Sequence, residues 1–89
     1  MGTAAPVTIY TSAWCGFCMR AKALLERKGI PYTEIDVDGN RALREEMITR
    51  SGRRTVPQVF IGEHHVGGSE DLAAAEWSGE LDRLLGVGA

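Results

Sequence analysis

The sequence predicts an α/β fold: a mixed four-stranded sheet flanked by helices, with elements in the order β-α-β-α-β-β-α. Two observations carry that expectation. Near the start, a strand pattern, a helix pattern and a second strand pattern follow one another, which implies a parallel pair joined by a right-handed crossover. Towards the end, two short strand patterns meet at a tight turn, which adds antiparallel strands. The length of 89 residues fits one domain over 1–89, with one modest core.

Each element has a local reason. Val7-Thr8-Ile9-Tyr10 is β-branched and aromatic, so it reads as a strand. Thr11 to Trp14 is a short loop, and Phe17 to Lys28 is helical, with Cys18, Ala21, Leu24 and Leu25 on one face. Gly29 and Pro31 stop that helix. Tyr32 to Val37 alternates as a second strand, and Asp38-Gly39-Asn40 is turn chemistry that offers an N-cap. Arg41 to Arg50 is a second helix, with Leu43, Met47 and Ile48 inward and Gly52 at its end. Gln58 to Ile61 is a third strand, Gly62-Glu63 the turn, and His64 to Val66 a fourth strand broken by Gly67-Gly68. Ser69 is placed to cap a last helix, with Glu70 and Asp71 in its first turn, where the dipole favours acids. Leu72, Ala75, Leu81, Leu84 and Leu85 give that tail its apolar positions, and Trp77 is expected to pack.

Composition excludes several classes of function. A net charge of −2 offers no basic field for nucleic acid. No apolar run is long enough to span a bilayer. Met1 to Pro6 lacks the basic start and apolar stretch of a signal peptide, so a cytoplasmic location is expected.

The chemistry is expected at the only two cysteines, Cys15 and Cys18, which enclose Gly16-Phe17. Reducing compartments keep ordinary thiols apart, so such a pair is more often catalytic or metal-binding than structural. Structural zinc needs about four ligands. No second C-x-x-C exists, and the other soft donors are His64 and His65, which read as hairpin residues, so no metal is required. Cys15 sits where strand and loop give way to a helix, and free N–H groups and the helix dipole favour negative charge there. Because the thiolate is the attacking form, Cys15 is the expected nucleophile. Cys18, one turn deeper on the apolar face, is the expected resolving thiol.

Three motifs in register resemble the glutaredoxin family, in its short bacterial dithiol form. They are Cys15-Gly16-Phe17-Cys18, then Thr55-Val56-Pro57, then Gly67-Gly68-Ser69-Glu70-Asp71. The resemblance covers nearly the whole chain and implies a thioredoxin-type fold. It also implies glutathione as co-substrate, and disulfide-containing or glutathionylated proteins as partners of a monomer. By itself Pro57 also fits an ordinary turn proline at a strand start; the resemblance implies a cis bond there and a Val56 backbone beside Cys15. Free N–H groups at Gly68 and Ser69 form an anion site at a helix start. The resemblance gives that site the γ-glutamyl carboxylate, with Glu70 or Asp71 for the ammonium. Of Arg50, Arg53 and Arg54, Arg53 is the choice for the glycine carboxylate. Phe17, and Trp14 likewise, are expected to wall the same site.

This chain departs from the family pattern in two places. Gly16 stands where dithiol relatives usually carry proline, and Ser12 lies in a stretch where many relatives carry lysine. Three readings result. The preferred one is a glutathione-dependent thiol–disulfide oxidoreductase. Gly16 raises the second, a [2Fe-2S] cluster held by Cys15 in a glutathione-bridged dimer. The third is a redoxin donating electrons to ribonucleotide reductase, a group that Trp77-Ser78-Gly79 resembles.

Overall fold

The computed structural model describes residues 5–86. Strand β1 (Val7–Thr11) leads through the loop 12–15 into α1 (Gly16–Arg27), which returns to β2 (Thr33–Asp36). Helix α2 (Arg41–Ser51) then leads to the hairpin β3 (Gln58–Ile61) and β4 (His64–Gly67). The tail holds α3 (Ser69–Ser78) and α4 (Glu80–Leu85). The sheet order is β2-β1-β3-β4, with β1 parallel to β2 and antiparallel to β3. Among the described residues no helix is long and apolar enough to cross a membrane.

Side-chain alternation along the two central strands creates two cores. Val7 and Ile9 of β1, with Val59 and Ile61 of β3, face α1, α3 and α4, where Leu24, Leu25, Leu72, Leu81 and Leu85 are buried. Tyr10 and Phe60 face the other way, onto Met47 of α2 and Val37. Fully burying one such side chain stabilises the fold by about 1.5–3 kcal/mol. The two helical layers therefore grip the central pair from both sides.

The fold class is the expected one, and its details differ in three places. The tail, expected as one helix, is two: Gly79 takes φ 83°, a left-handed conformation that ends α3 and starts α4. Ser69 is not the cap of α3 but its first residue; Gly68 is the cap, and Asp71 reaches back to the Gly68 N–H at 2.9 Å. Gly67 does not break β4 but closes it, paired with Val59 across a bulge. At Gly67, φ is 123°, and a Cβ would lie 2.7 Å from the Asp71 carboxyl carbon, so no other residue fits without displacing Asp71.

Candidate active site

Cys15 is the N-cap of α1, with φ −107° and ψ 108°. Its Sγ accepts the Cys18 backbone N–H at 3.1 Å, and its carbonyl accepts that of Met19 at 3.1 Å. The sulfur therefore meets the unpaired donors of a helix start, a setting that favours a negative charge. Cys18 is only 2% exposed. Burial first, and then the hydrogen bond with Cys15, push its thiol from an ordinary 9.0 up to about 12. Both cysteines are reduced. One half-exposed sulfur on donors and one buried sulfur holding its proton form an asymmetric dithiol, able to attack from one side and resolve from the other.

The loop ahead of Cys15 is anchored from a distance. Asp38, which follows β2, accepts the Ser12 hydroxyl at 2.6 Å and the Ala13 N–H at 2.7 Å. These two hydrogen bonds hold its carboxyl below the usual range. Trp14 adopts φ 61° and its side chain is fully exposed beside the nucleophile. It extends into solvent, whereas Phe17 is half-exposed and lines the groove described next.

The Val56–Pro57 peptide is cis. The Val56 carbonyl lies 3.9 Å from the Cys15 sulfur. Phe17 of α1, Thr55 to Pro57, and Gly68 to Asp71 at the start of α3 line one open groove of about 310 Å³. All three sequence motifs thus meet in one place. Thr55 is pinned from below by the fully buried Gln58, whose amide nitrogen donates to the Thr55 carbonyl at 2.9 Å and to its hydroxyl at 3.2 Å. The Gln58 oxygen must then accept, so the His65 Nε2, 2.7 Å away, carries a hydrogen. Burial, and then the charge of Arg53, keep His65 below its ordinary pKa and favour its neutral form.

The arginines diverge. Arg53 Nη1 pairs with Asp71 Oδ2 at 2.9 Å. The Gly68 N–H first, and Arg53 second, hold the Asp71 carboxyl below the usual range. Arg50 stays exposed and lies over the α2-side core, donating to the Tyr10 hydroxyl at 2.9 Å with its guanidinium 4.1 Å from the Phe60 ring centre. Arg54 is exposed. Trp77, expected to pack, is instead 92% exposed, because it lies on the α3 face opposite Leu72 and Ala75.

Sequence reasoning missed Asp38, Gln58 and His65. Asp38 showed only turn chemistry, and nothing local pairs it with Ser12. Gln58 was read only as the first residue of a strand and His65 only as a hairpin residue; their link crosses the β3–β4 ladder.

A strand, a half-exposed cysteine at a helix start, a buried partner one turn on and a groove beside them define a dithiol redox protein of thioredoxin-like fold. The family model described as Glutaredoxin matches residues 7–66. Glutaredoxin 3 of Escherichia coli K12 is 57% identical over 81 residues, covering 91% of this chain and 98% of that protein. The solution structure of a glutaredoxin from Brucella melitensis superposes with TM-score 0.84 at 53% identity, covering 99% of this chain and 96% of that one. A buckwheat glutaredoxin solved in complex with glutathione superposes with TM-score 0.82 at 32% identity, covering 91% and 76%. The chain belongs to the glutaredoxin family, whose members are thiol–disulfide oxidoreductases.

Proposed function

We propose that this protein is a glutathione-dependent oxidoreductase that reduces glutathionylated thiols and protein disulfides. One observation carries the reading: the three motif segments enclose a single groove whose Val56 carbonyl lies 3.9 Å from the Cys15 sulfur. In this reading Ser69 offers its N–H to the γ-glutamyl carboxylate at the start of α3, beside the Gly68 N–H that Asp71 holds. Asp71, ionised and fixed, receives the ammonium, with Glu70 alongside. Arg53 exchanges part of its bond with Asp71 for the glycine carboxylate, and Phe17 and the Thr55–Pro57 segment flank the peptide.

The Cys15 thiolate attacks the glutathione sulfur of a mixed disulfide. The S–S bond breaks, the protein thiolate leaves and takes a proton, and Cys15 carries glutathione. A second glutathione thiolate then attacks that disulfide, releasing oxidised glutathione and restoring Cys15. With a protein disulfide as substrate, Cys15 attacks one sulfur, and the other leaves as a thiolate and takes a proton. Cys18 then attacks the mixed disulfide on Cys15 and releases the second protein thiolate. Its high pKa means that it gives up its proton only as it attacks, and the departing thiolate is the acceptor. Two glutathiones reduce the resulting Cys15–Cys18 disulfide.

Turnover of a glutathionylated peptide, coupled to glutathione reductase, tests the reading. Cys15→Ser is expected to abolish turnover, whereas Cys18→Ser keeps it and loses only protein disulfide substrates. A native chain that is inactive with glutathione would sink the assignment.

A [2Fe-2S] cluster shared by two copies is the alternative. Its support is that Cys15 is half-exposed and nothing would lie within 4 Å of a Cβ at Gly16, so this corner is open to a second copy. Among the described residues no group of three or more His, Cys, Asp or Glu side chains could hold a metal. One chain would thus offer Cys15 alone, and glutathione would have to complete the set. Anaerobic reconstitution with iron and sulfide decides it: a coloured dimer that requires glutathione supports the alternative, and a colourless monomer removes it.

A further inference from the structure

Building on the reading of Cys15 as nucleophile, we propose that Asp38 is a positioning residue for it, a carboxylate clamp that fixes the loop 12–14 and so sets where the sulfur stands. Both oxygens are committed to that loop: one accepts the Ser12 hydroxyl at 2.6 Å, the other the Ala13 N–H at 2.7 Å. The clamp has a firm base. The Asp38 N–H donates to Asp36 Oδ1 at 2.8 Å, and the preceding Val37, fully buried, donates its N–H to the Thr11 carbonyl at 2.9 Å. The carboxylate is therefore tied to the end of β1 from which the loop departs. Two charged groups stand beside it: Arg44, 3.9 Å away, and the Asp36 carboxylate that accepts its N–H.

The loop has a physical need for such an anchor. Trp14 holds φ 61°, a region unfavourable for a residue with a Cβ, and its side chain is wholly in solvent. Trp14 therefore contributes no packing to offset its own backbone conformation. Released from Asp38, the segment is free to relax towards negative φ, and Cys15, the next residue, moves with it. Its sulfur would then leave the Cys18 N–H now 3.1 Å away. One carboxylate thus governs the segment that carries the nucleophile.

The test compares the native chain with Asp38→Ala, Asp38→Asn and Ser12→Ala. Asparagine keeps the clamp without its charge: its oxygen accepts the Ala13 N–H and its amide donates to the Ser12 hydroxyl. The readouts are the iodoacetamide rate at Cys15 as a function of pH, the Cys15–Cys18 midpoint potential, and kcat and KM with a glutathionylated peptide. Asp38→Ala is expected to slow alkylation at neutral pH and lower kcat by about tenfold, with KM changed less than about twofold. It should also displace the pH profile. Asp38→Asn should restore most of the rate, and Ser12→Ala should lie between.

A folded Asp38→Ala with the native alkylation rate and pH profile overturns the proposal, even if its melting temperature has fallen. So does a folded Asp38→Asn as impaired as Asp38→Ala. Should Asp38→Ala fail to fold, Ser12→Ala decides, and a native rate there is the overturning result. Alkylation needs no glutathione, so a chain inactive with glutathione would sink the proposed function while this comparison still decided the clamp.

Discussion

Cys18 keeps its proton at neutral pH because burial denies the thiolate its hydration, and this has two measurable consequences. Iodoacetamide at neutral pH should label Cys15 alone, with Cys18 labelled only after unfolding; peptide mass spectrometry reads the site. The second concerns stability. The folded chain binds this proton up to about 12, whereas the unfolded chain releases it near 9.0, so the stabilising contribution is complete below 9.0 and lost as pH rises towards about 12. The urea midpoint of the native chain should therefore fall more steeply over that window than that of Cys18→Ala. The unequal pair was legible from sequence, because one turn of helix separates an N-cap from an apolar face. Asp38 was not, because its partners belong to a loop that meets it only once β1 and β2 pair. Trp77 misled for the opposite reason: a large apolar residue in a helix argues for burial, but its position on α3 turns it to solvent.

At the scale of elements, the start of α1 is the informative place. Gly16 occupies the first helical position, where the N–H is spare and proline is well tolerated. Nothing would lie within 4 Å of an added Cβ there. Cys15 already holds the extended backbone that a following proline requires. Gly16→Pro should therefore stabilise the fold by about 0.4–1 kcal/mol, read as a raised urea midpoint at unchanged slope. The strands and the first two helices were legible from periodicity and stop signals. The division of the tail shows only as a change of phase: in one unbroken helix Leu81, Leu84 and Leu85 would face away from Leu72 and Ala75. The positive φ of Gly79 turns α4 so that both groups reach the same core, and the spacing alone does not show where that turn falls. Nor does the spacing show that Asp71 caps α3 by reaching back to Gly68, which leaves the Ser69 side chain outside the cap.

Across the whole molecule, chemistry and stability concentrate at opposite ends. The cysteines lie where β1 ends, whereas α4 packs beside the start of β1 and the end of α1; Lys28, Asp82 and Leu85 border one cavity there. Lys28 bonds Glu76 and Asp82, both at 3.0 Å, tying α1 to the two tail helices. Leu81→Ala, at a fully buried site, should therefore cost about 2–5 kcal/mol in urea unfolding. Below the transition, the alkylation rate of Cys15 should match the native chain.

The strand order has a consequence for the chain during its synthesis. β1 is made first yet occupies the middle of the sheet, and both strands that flank it are made later, β3 the later of the two. Until β3 leaves the ribosome, β1 has an open edge and Leu72 of α3 has not arrived over α1. Throughout that interval the fold in which Cys18 is buried is incomplete. A growing chain halted before Gln58 should react with a thiol reagent at both cysteines, and the selectivity for Cys15 should appear only after the hairpin and the tail are complete.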